Sequence, residues 1–147
     1  MYVRSVLIWS FIGLLLCCNK KDNKGNINIV LNLLDPDYLV LADTSSFENL
    51  ILFQYGIEGL FIQRTSPFGF VIYDLKNPNI DPASGNLCPQ RLVVQGKTFL
   101  LDPCNDIQYI ILTGQAEPSS IPSGVTVYPL KTYQYLYDAQ QFLLYIQ

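Results

Sequence analysis

The side chains of this 147-residue chain that can carry chemistry are few, and none is a histidine. That absence removes Ser-His-Asp and Cys-His nucleophile systems, in which an imidazole moves the proton. It also removes histidine-ligated zinc, haem and non-haem iron. The four thiols are Cys17, Cys18, Cys88 and Cys104. The first two end an apolar N-terminal run, so the body of the chain keeps two, too few for an all-thiolate metal site. Cys88 and Cys104 can be unrelated buried thiols or a redox-active dithiol. A reactive dithiol needs a cation or a helix N-terminus to lower its pKa. Cys104 instead has Asp102 and Asp106 beside it, which disfavours the redox reading. Asp102 and Asp106, with Asn77, Asn79 and Asn105, offer the oxygen donors that suit Ca²⁺ or Mg²⁺. They follow no EF-hand pattern, and turn formation accounts for the same residue types. Asp35 and Asp37 flank Pro36 and read as a solvated turn, not as a glycosidase pair. Tyr133, Tyr135 and Tyr137 alternate along one strand face, and Tyr145 is expected to join them from the partner strand. Such rings either pack over the core or form an exposed platform for a sugar or a partner protein.

The elements that must position these residues read as strands. Half of the residues are hydrophobic and 14 % are charged, so most of the chain has enough apolar surface to fold. Its length suits one domain. The net charge of −3 and pI of about 4.7 argue against a nucleic-acid partner, which needs clustered Lys and Arg. In residues 26–34, Ile27, Ile29, Leu31 and Leu33 fall on one face and Asn26, Asn28 and Asn32 on the other, which predicts a strand with one apolar face. Further strands are expected at 50–55, 60–65, 70–74, 91–94, 98–101, 108–112, 130–137 and 141–146. Pro- and Gly-bearing connections join several of them as hairpins. Residues 77–89 and 102–106 read as loops, and 116–124, with Pro118 and Pro122, as an irregular arm. No stretch after Asn26 holds a 3.6-residue apolar period. The expected fold is all-β, an antiparallel sandwich or small barrel.

The N-terminus reads as an export signal. Arg4 is the sole charge before Lys20, and residues 6–18 are apolar except for Ser10 and Gly13. Thirteen helical residues rise only about 20 Å, short of a bilayer core of about 30 Å. A basic start and a short apolar core mark a secretory signal. The core stops at Cys17-Cys18 and gives way to Asn19-Lys20-Lys21-Asp22-Asn23-Lys24-Gly25. This pattern resembles a bacterial lipoprotein signal, which implies acylation of Cys18, with Cys17 as the alternative. The division expected is a signal at 1–17, a polar tether at 18–25 and a β domain at 26–147. The acyl chains would hold the domain on the outer membrane, each buried CH₂ contributing about 0.8 kcal/mol.

The two loops carry a second resemblance. Phe70-Val71-Ile72-Tyr73-Asp74 leads to Asn77-Pro78-Asn79, and Phe99-Leu100-Leu101 leads to Asp102-Pro103-Cys104-Asn105. Tyr109, Leu112-Thr113-Gly114 and Tyr128-Pro129-Leu130 follow, then a last hairpin. This order resembles the Rieske domain, and in particular the small Rieske-like lipoproteins of Bacteroidetes. In that family two loops hold a 2Fe–2S cluster through Cys-x-His and Cys-x-x-His. The resemblance places Asn77 and Asp102 at the Cys ligands and Asn79 and Asn105 at the His ligands. A second register, on Cys88-Pro89-Gln90, retains one Cys and still loses three ligands. The implied domain therefore binds no cluster and no other cofactor. The resemblance further implies that Cys88 and Cys104 form the disulfide that ties the loops in respiratory Rieske proteins. Closing that loop stabilises by about 3 kcal/mol in the chain-entropy model, and an exported protein sits where it can form. The resulting expectation is a non-enzymatic envelope lipoprotein with a structural, binding or interaction role. Its partners would be the membrane, through the N-terminal lipid, and an envelope protein or carbohydrate. An intact Rieske electron-transfer protein and a thiol–disulfide protein using Cys88 and Cys104 are the alternatives.

Overall fold

The computed structural model describes residues 27–79 and 90–147. Within them lie nine strands and two short 3-10 turns, Leu39–Leu41 and Pro118–Ser120. The strands are β1 (Ile29–Asn32), β2 (Asn49–Leu52), β3 (Leu60–Ser66), β4 (Gly69–Asp74) and β5 (Val93–Gln95). They continue with β6 (Phe99–Leu101), β7 (Gln108–Ile110), β8 (Tyr135–Asp138) and β9 (Leu143–Ile146). They form three antiparallel three-stranded sheets, ordered β1-β9-β8, β2-β3-β4 and β5-β6-β7. The described residues are all-β as expected. No sheet closes into a barrel among the described residues: the strands, three to seven residues long, fall into three separate open sheets.

The β2-β3-β4 sheet is the central layer, buried on both faces. Leu60 and Ile62 of β3 pack with Leu31, Leu144 and Ile146 of the β1-β9-β8 sheet. Phe61, between them in sequence, points the other way, to Leu100 and Tyr109 of the β5-β6-β7 sheet. Successive side chains of a strand alternate between faces, so a strand covered twice reads as a continuous apolar run. Leu60-Phe61-Ile62 is such a run. Its continuation, Gln63 and Arg64, is buried as well.

Most sequence-based boundaries stand within a few residues. β2 ends at Leu52, where the Tyr55 N–H donates to the Leu52 carbonyl and turns the chain. Ser66 pairs with Gly69, so the β3–β4 loop is only Pro67-Phe68, with a register shift between Arg64 and Ser66. The last hairpin differs more. Its strands pair from Asp138–Leu143 to Tyr135–Ile146, and residues 139–142 form the loop. Residues 131–133 do not belong to β8. They run along the free edge of β4, where the Asp74 N–H donates to Lys131 and the Tyr133 N–H to Ile72.

Gly114 holds the arm against the core. Its φ is 69°, and a Cβ there would lie 2.9 Å from the Tyr73 ring. Its carbonyl accepts from the Leu130 N–H at 2.9 Å. Only glycine meets both the left-handed backbone and the close approach.

Candidate functional site

The two loops leave the ends of β4 and β6, and both begin with the same turn. In Asn77-Pro78-Asn79 the Asn77 side-chain oxygen accepts from the Asn79 N–H at 3.0 Å. In Asp102-Pro103-Cys104 the Asp102 carboxylate accepts from the Cys104 N–H at 2.9 Å. A side-chain oxygen that captures the N–H two residues on replaces a backbone turn, and the intervening Pro has no N–H to compete. The Asn105 amide donates to the second Asp102 oxygen at 3.0 Å. The Asp102 N–H donates to the Ile107 carbonyl at 2.8 Å and closes the second loop. Asn77 and Asp102 are both fully buried.

Other elements complete the cluster. The Asn79 amide donates to the Tyr109 hydroxyl of β7 at 2.5 Å. Its carbonyl oxygen accepts from the N–H of Tyr128, which follows the arm, at 3.1 Å. The structure thus forms two hydrogen-bonded turns, Asn77 with Asn79 and Asp102 with Asn105, and sets Asn77 near the Asp102 carboxylate. It adds Tyr109 and Tyr128, which sequence reasoning did not assign to the site. Asp106 is exposed, with φ 55°, and does not join it.

The electrostatics follow from these contacts. Burial would push the Asp102 carboxyl up. The Asn105 and Asn77 amides and the N–H groups of Cys104 and Asn105 outweigh burial and hold it below the ordinary carboxylate range. Asn77 Nδ2 is buried without a formed hydrogen bond, so its effect on Asp102 is that of a nearby dipole. Burial pushes the Tyr109 hydroxyl up to about 12, the Asn79 amide opposing this and the Asp102 charge adding to it. Tyr109 is therefore a neutral hydrogen-bonding group at physiological pH.

An Asp with a depressed folded-state pKa stabilises the fold above its unfolded value of about 3.9, and that stability is lost as pH falls through the folded value. Asp102→Asn is expected to cost about 1–2 kcal/mol at pH 7, because its NH₂ would face the Asn105 donor. The variant should also lose less stability than the wild type between pH 5 and pH 2. Urea unfolding at a series of pH values checks both, and parallel acid limbs would contradict the assignment.

The donor set does not fit an iron–sulfur cluster. Such a cluster requires thiolates on one iron and, in the Rieske case, imidazoles on the other. The four positions offer three amides and one carboxylate, which are hard donors. The arrangement is equally unsuited to a Ca²⁺ or Mg²⁺ cage. The side-chain oxygens of Asn77, Asn79 and Asp102 face N–H donors, and a cation would have to displace them.

Cys104 is exposed and disulfide-bonded, so it does not titrate as a thiol. Cys88, Cys17 and Cys18 lie outside the described residues, as do the expected signal and tether. Among the described residues no helix is long and apolar enough to cross a membrane.

A second concave feature lies where β2 and β5 approach each other. Ile51, Phe53, Leu75, Arg91 and residues 92–94 line a cavity of about 310 Å³. The Arg91 guanidinium lies 4.6 Å from the centre of the Phe53 ring, a cation–π contact at an exposed site. No local pattern in the sequence marks it, because its walls come from separate hairpins.

The tyrosines do not form a platform. Tyr135 and Tyr137 set their rings edge-on to Phe70, at 5.7 and 5.2 Å, and Tyr133 is buried. Tyr145 lies opposite Leu136 and Val30, so it is on the outer face, away from the other three. No family model matches the chain, and neither curated proteins nor solved structures give a match.

Proposed function

We propose that this chain is an envelope lipoprotein, anchored to the outer membrane through acylated Cys18. Its Rieske-like domain has exchanged a cluster site for two hydrogen-bonded loop turns. Its role is non-enzymatic, a binding or interaction module presented on a membrane. One observation carries the reading: the four residues that the resemblance aligns with cluster ligands lie in two loop turns that come together, with Asn77 near the Asp102 carboxylate. The hydrogen bonds their side chains form go to one another, to Tyr109 and to the backbone, with Asn77 Nδ2 alone buried without one, and none is poised as a nucleophile or general acid. Cys104 pairs with Cys88 in this reading, which ties the second loop to the first.

Iron analysis of the purified chain tests the cluster-free reading. The expected result is a colourless protein without iron; two irons per chain would overturn it. Labelling with a fatty-acid analogue tests the anchor. Cys18→Ser should abolish the label and release the protein from membranes, while Cys17→Ser should keep both. Retained label in Cys18→Ser would move the anchor to Cys17, and no label in the wild type would remove it. Peptide mapping without reductant should recover Cys88 joined to Cys104.

The exposed position of Cys104 favours one second reading, a thiol–disulfide protein, since exposed disulfides are the labile ones. A reduction potential below about −300 mV would mark the bond as structural and dismiss that reading.

A further inference from the structure

We propose that the chain forms a two-fold dimer through the edge of β8, a second copy of itself supplying the missing neighbour strand. The inference rests on the hydrogen-bond phase of the last hairpin and is independent of the lipoprotein reading. Gln134 and Gln147 exchange both backbone hydrogen bonds, at 3.0 and 2.9 Å. In an antiparallel ladder such pairs alternate with pairs that make none. Leu136 and Asp138 therefore direct their backbone groups toward β9. Tyr135 and Tyr137 direct theirs away from it, off the edge of the sheet. β8 is the last strand in the order β1-β9-β8. Among the described residues no other segment bonds these outward N–H and C=O groups.

The edge is also apolar on its outer face. Leu136 is 68 % exposed. The register places it beside Tyr145, which in turn lies beside Val30, 53 % exposed. An apolar row thus crosses the sheet and stops at the β8 edge. Residues 134–138 contain no Lys and no Pro, two of the devices that protect strand edges from pairing.

β8 is complementary to itself. A two-fold axis through Leu136 sets Tyr135 opposite the partner's Tyr137, and their outward groups form two hydrogen-bonded pairs. Leu136 then faces the partner's Leu136 at a non-hydrogen-bonded position, where Cα atoms approach to about 4.5 Å. Asp138 falls opposite the partner's Gln134, so no like charges oppose each other. The apolar row becomes continuous through both copies. The β1 edge lacks this match, because the equivalent axis through Leu31 sets Val30 against the partner's Asn32.

An edge of this length lies below the ~1,200 Å² of a standard interface, so the dimer is weak and is best trapped covalently. The test uses the full chain in detergent, oxidised mildly, with a cysteine placed at one of two positions. Leu136→Cys should give a species of twice the monomer mass that reductant dissolves, since the expected spacing suits a disulfide. Gln134→Cys should stay at the wild-type background, because this register sets the two copies of residue 134 four residues apart. In sedimentation, wild-type apparent mass should rise with concentration toward that of a dimer. Leu136→Lys should stay monomeric with an unchanged circular-dichroism spectrum. Equal cross-linking at 134 and 136, none at 136, or a wild type that stays monomeric would each overturn the proposal.

Discussion

Arg64→Met is expected to destabilise the fold by about 3 kcal/mol, although methionine fills much of the same volume. Arg64 lies on the inner face of β3 and is only 5 % exposed. No carboxylate among the described residues is within ion-pair distance of it. Carbonyl oxygens satisfy its charge instead. Nε donates to Ser66 at 3.1 Å, and Nη1 donates to Leu41 at 2.9 Å and Ala42 at 3.3 Å. Nη2 donates to Pro67. The guanidinium also stacks near Phe70 and Tyr137, at 5.2 and 5.1 Å from the ring centres. One side chain thus fastens the β3–β4 hairpin tip to the 3-10 turn Leu39–Leu41. Methionine would leave four carbonyls without their donor. A buried acceptor left unpaired costs about 1–3 kcal/mol, and those near the surface recover part of that from water. Arg64→Lys should lose about half as much, because one ammonium cannot reach both segments with a fixed fork. Urea unfolding should show a lowered midpoint with an unchanged slope. A loss below about 1 kcal/mol would mean that water replaces the guanidinium fully.

Arg64 also shows where the sequence stops being legible. A charged residue late in an alternating strand reads as solvent-facing. That inference assumes one covered face, whereas β3 is covered on two. The signal was present in the unbroken run Leu60-Phe61-Ile62, but a run does not say which layers cover it. Strand positions were legible because Gly, Pro and Asp punctuate them. Register was less so. A turn at residues 138–140 sets Tyr145 opposite Tyr133, on the same face as the alternating tyrosines. The observed loop is one residue longer, and Tyr145 falls opposite Leu136. An odd shift in register moves a whole strand to the opposite face. The Asp138 carboxylate, accepting from the Gln140 and Gln141 N–H groups, holds that longer loop. The candidate site divides in the same way. Asn77-Pro78-Asn79 and Asp102-Pro103-Cys104 are visible as local turns and through the family resemblance. Tyr109 reaches Asn79 from β7 and Tyr128 from the segment after the arm, and no local pattern announces contacts across that distance in sequence.

Asp74→Ala is the second large effect expected, a loss of about 3 kcal/mol centred at the other end of the same hairpin. Asp74 closes β4 and is fully buried. Its carboxylate accepts from the N–H groups of Ile57 at 2.7 Å, Glu58 at 3.2 Å and Lys76 at 2.8 Å. The Tyr133 hydroxyl donates to it at 2.6 Å. Burial, and then the hydrogen bond and charge of Asp74, push the Tyr133 hydroxyl well above its usual range. The contacts join three segments that sequence separates: the turn after β2, the start of the first loop and the strip that covers β4. Hydrogen bonds to a charged group contribute about 1.5–3 kcal/mol each, but the exposed N–H groups regain water when the carboxylate is lost, which sets the estimate well below their sum. Tyr133→Phe removes one donor and leaves three, so about 1 kcal/mol is expected. The double variant should cost less than the two single losses added together, because the partners share one contact. Additive losses would mean that Asp74 acts through the backbone turns alone. The Lys76 N–H precedes Asn77 by one residue, so Asp74→Ala should also loosen the first loop. Amide exchange at Asn79 should quicken in Asp74→Ala and stay slow in Tyr133→Phe. That difference would separate the carboxylate's hold on the loop from its share in general stability.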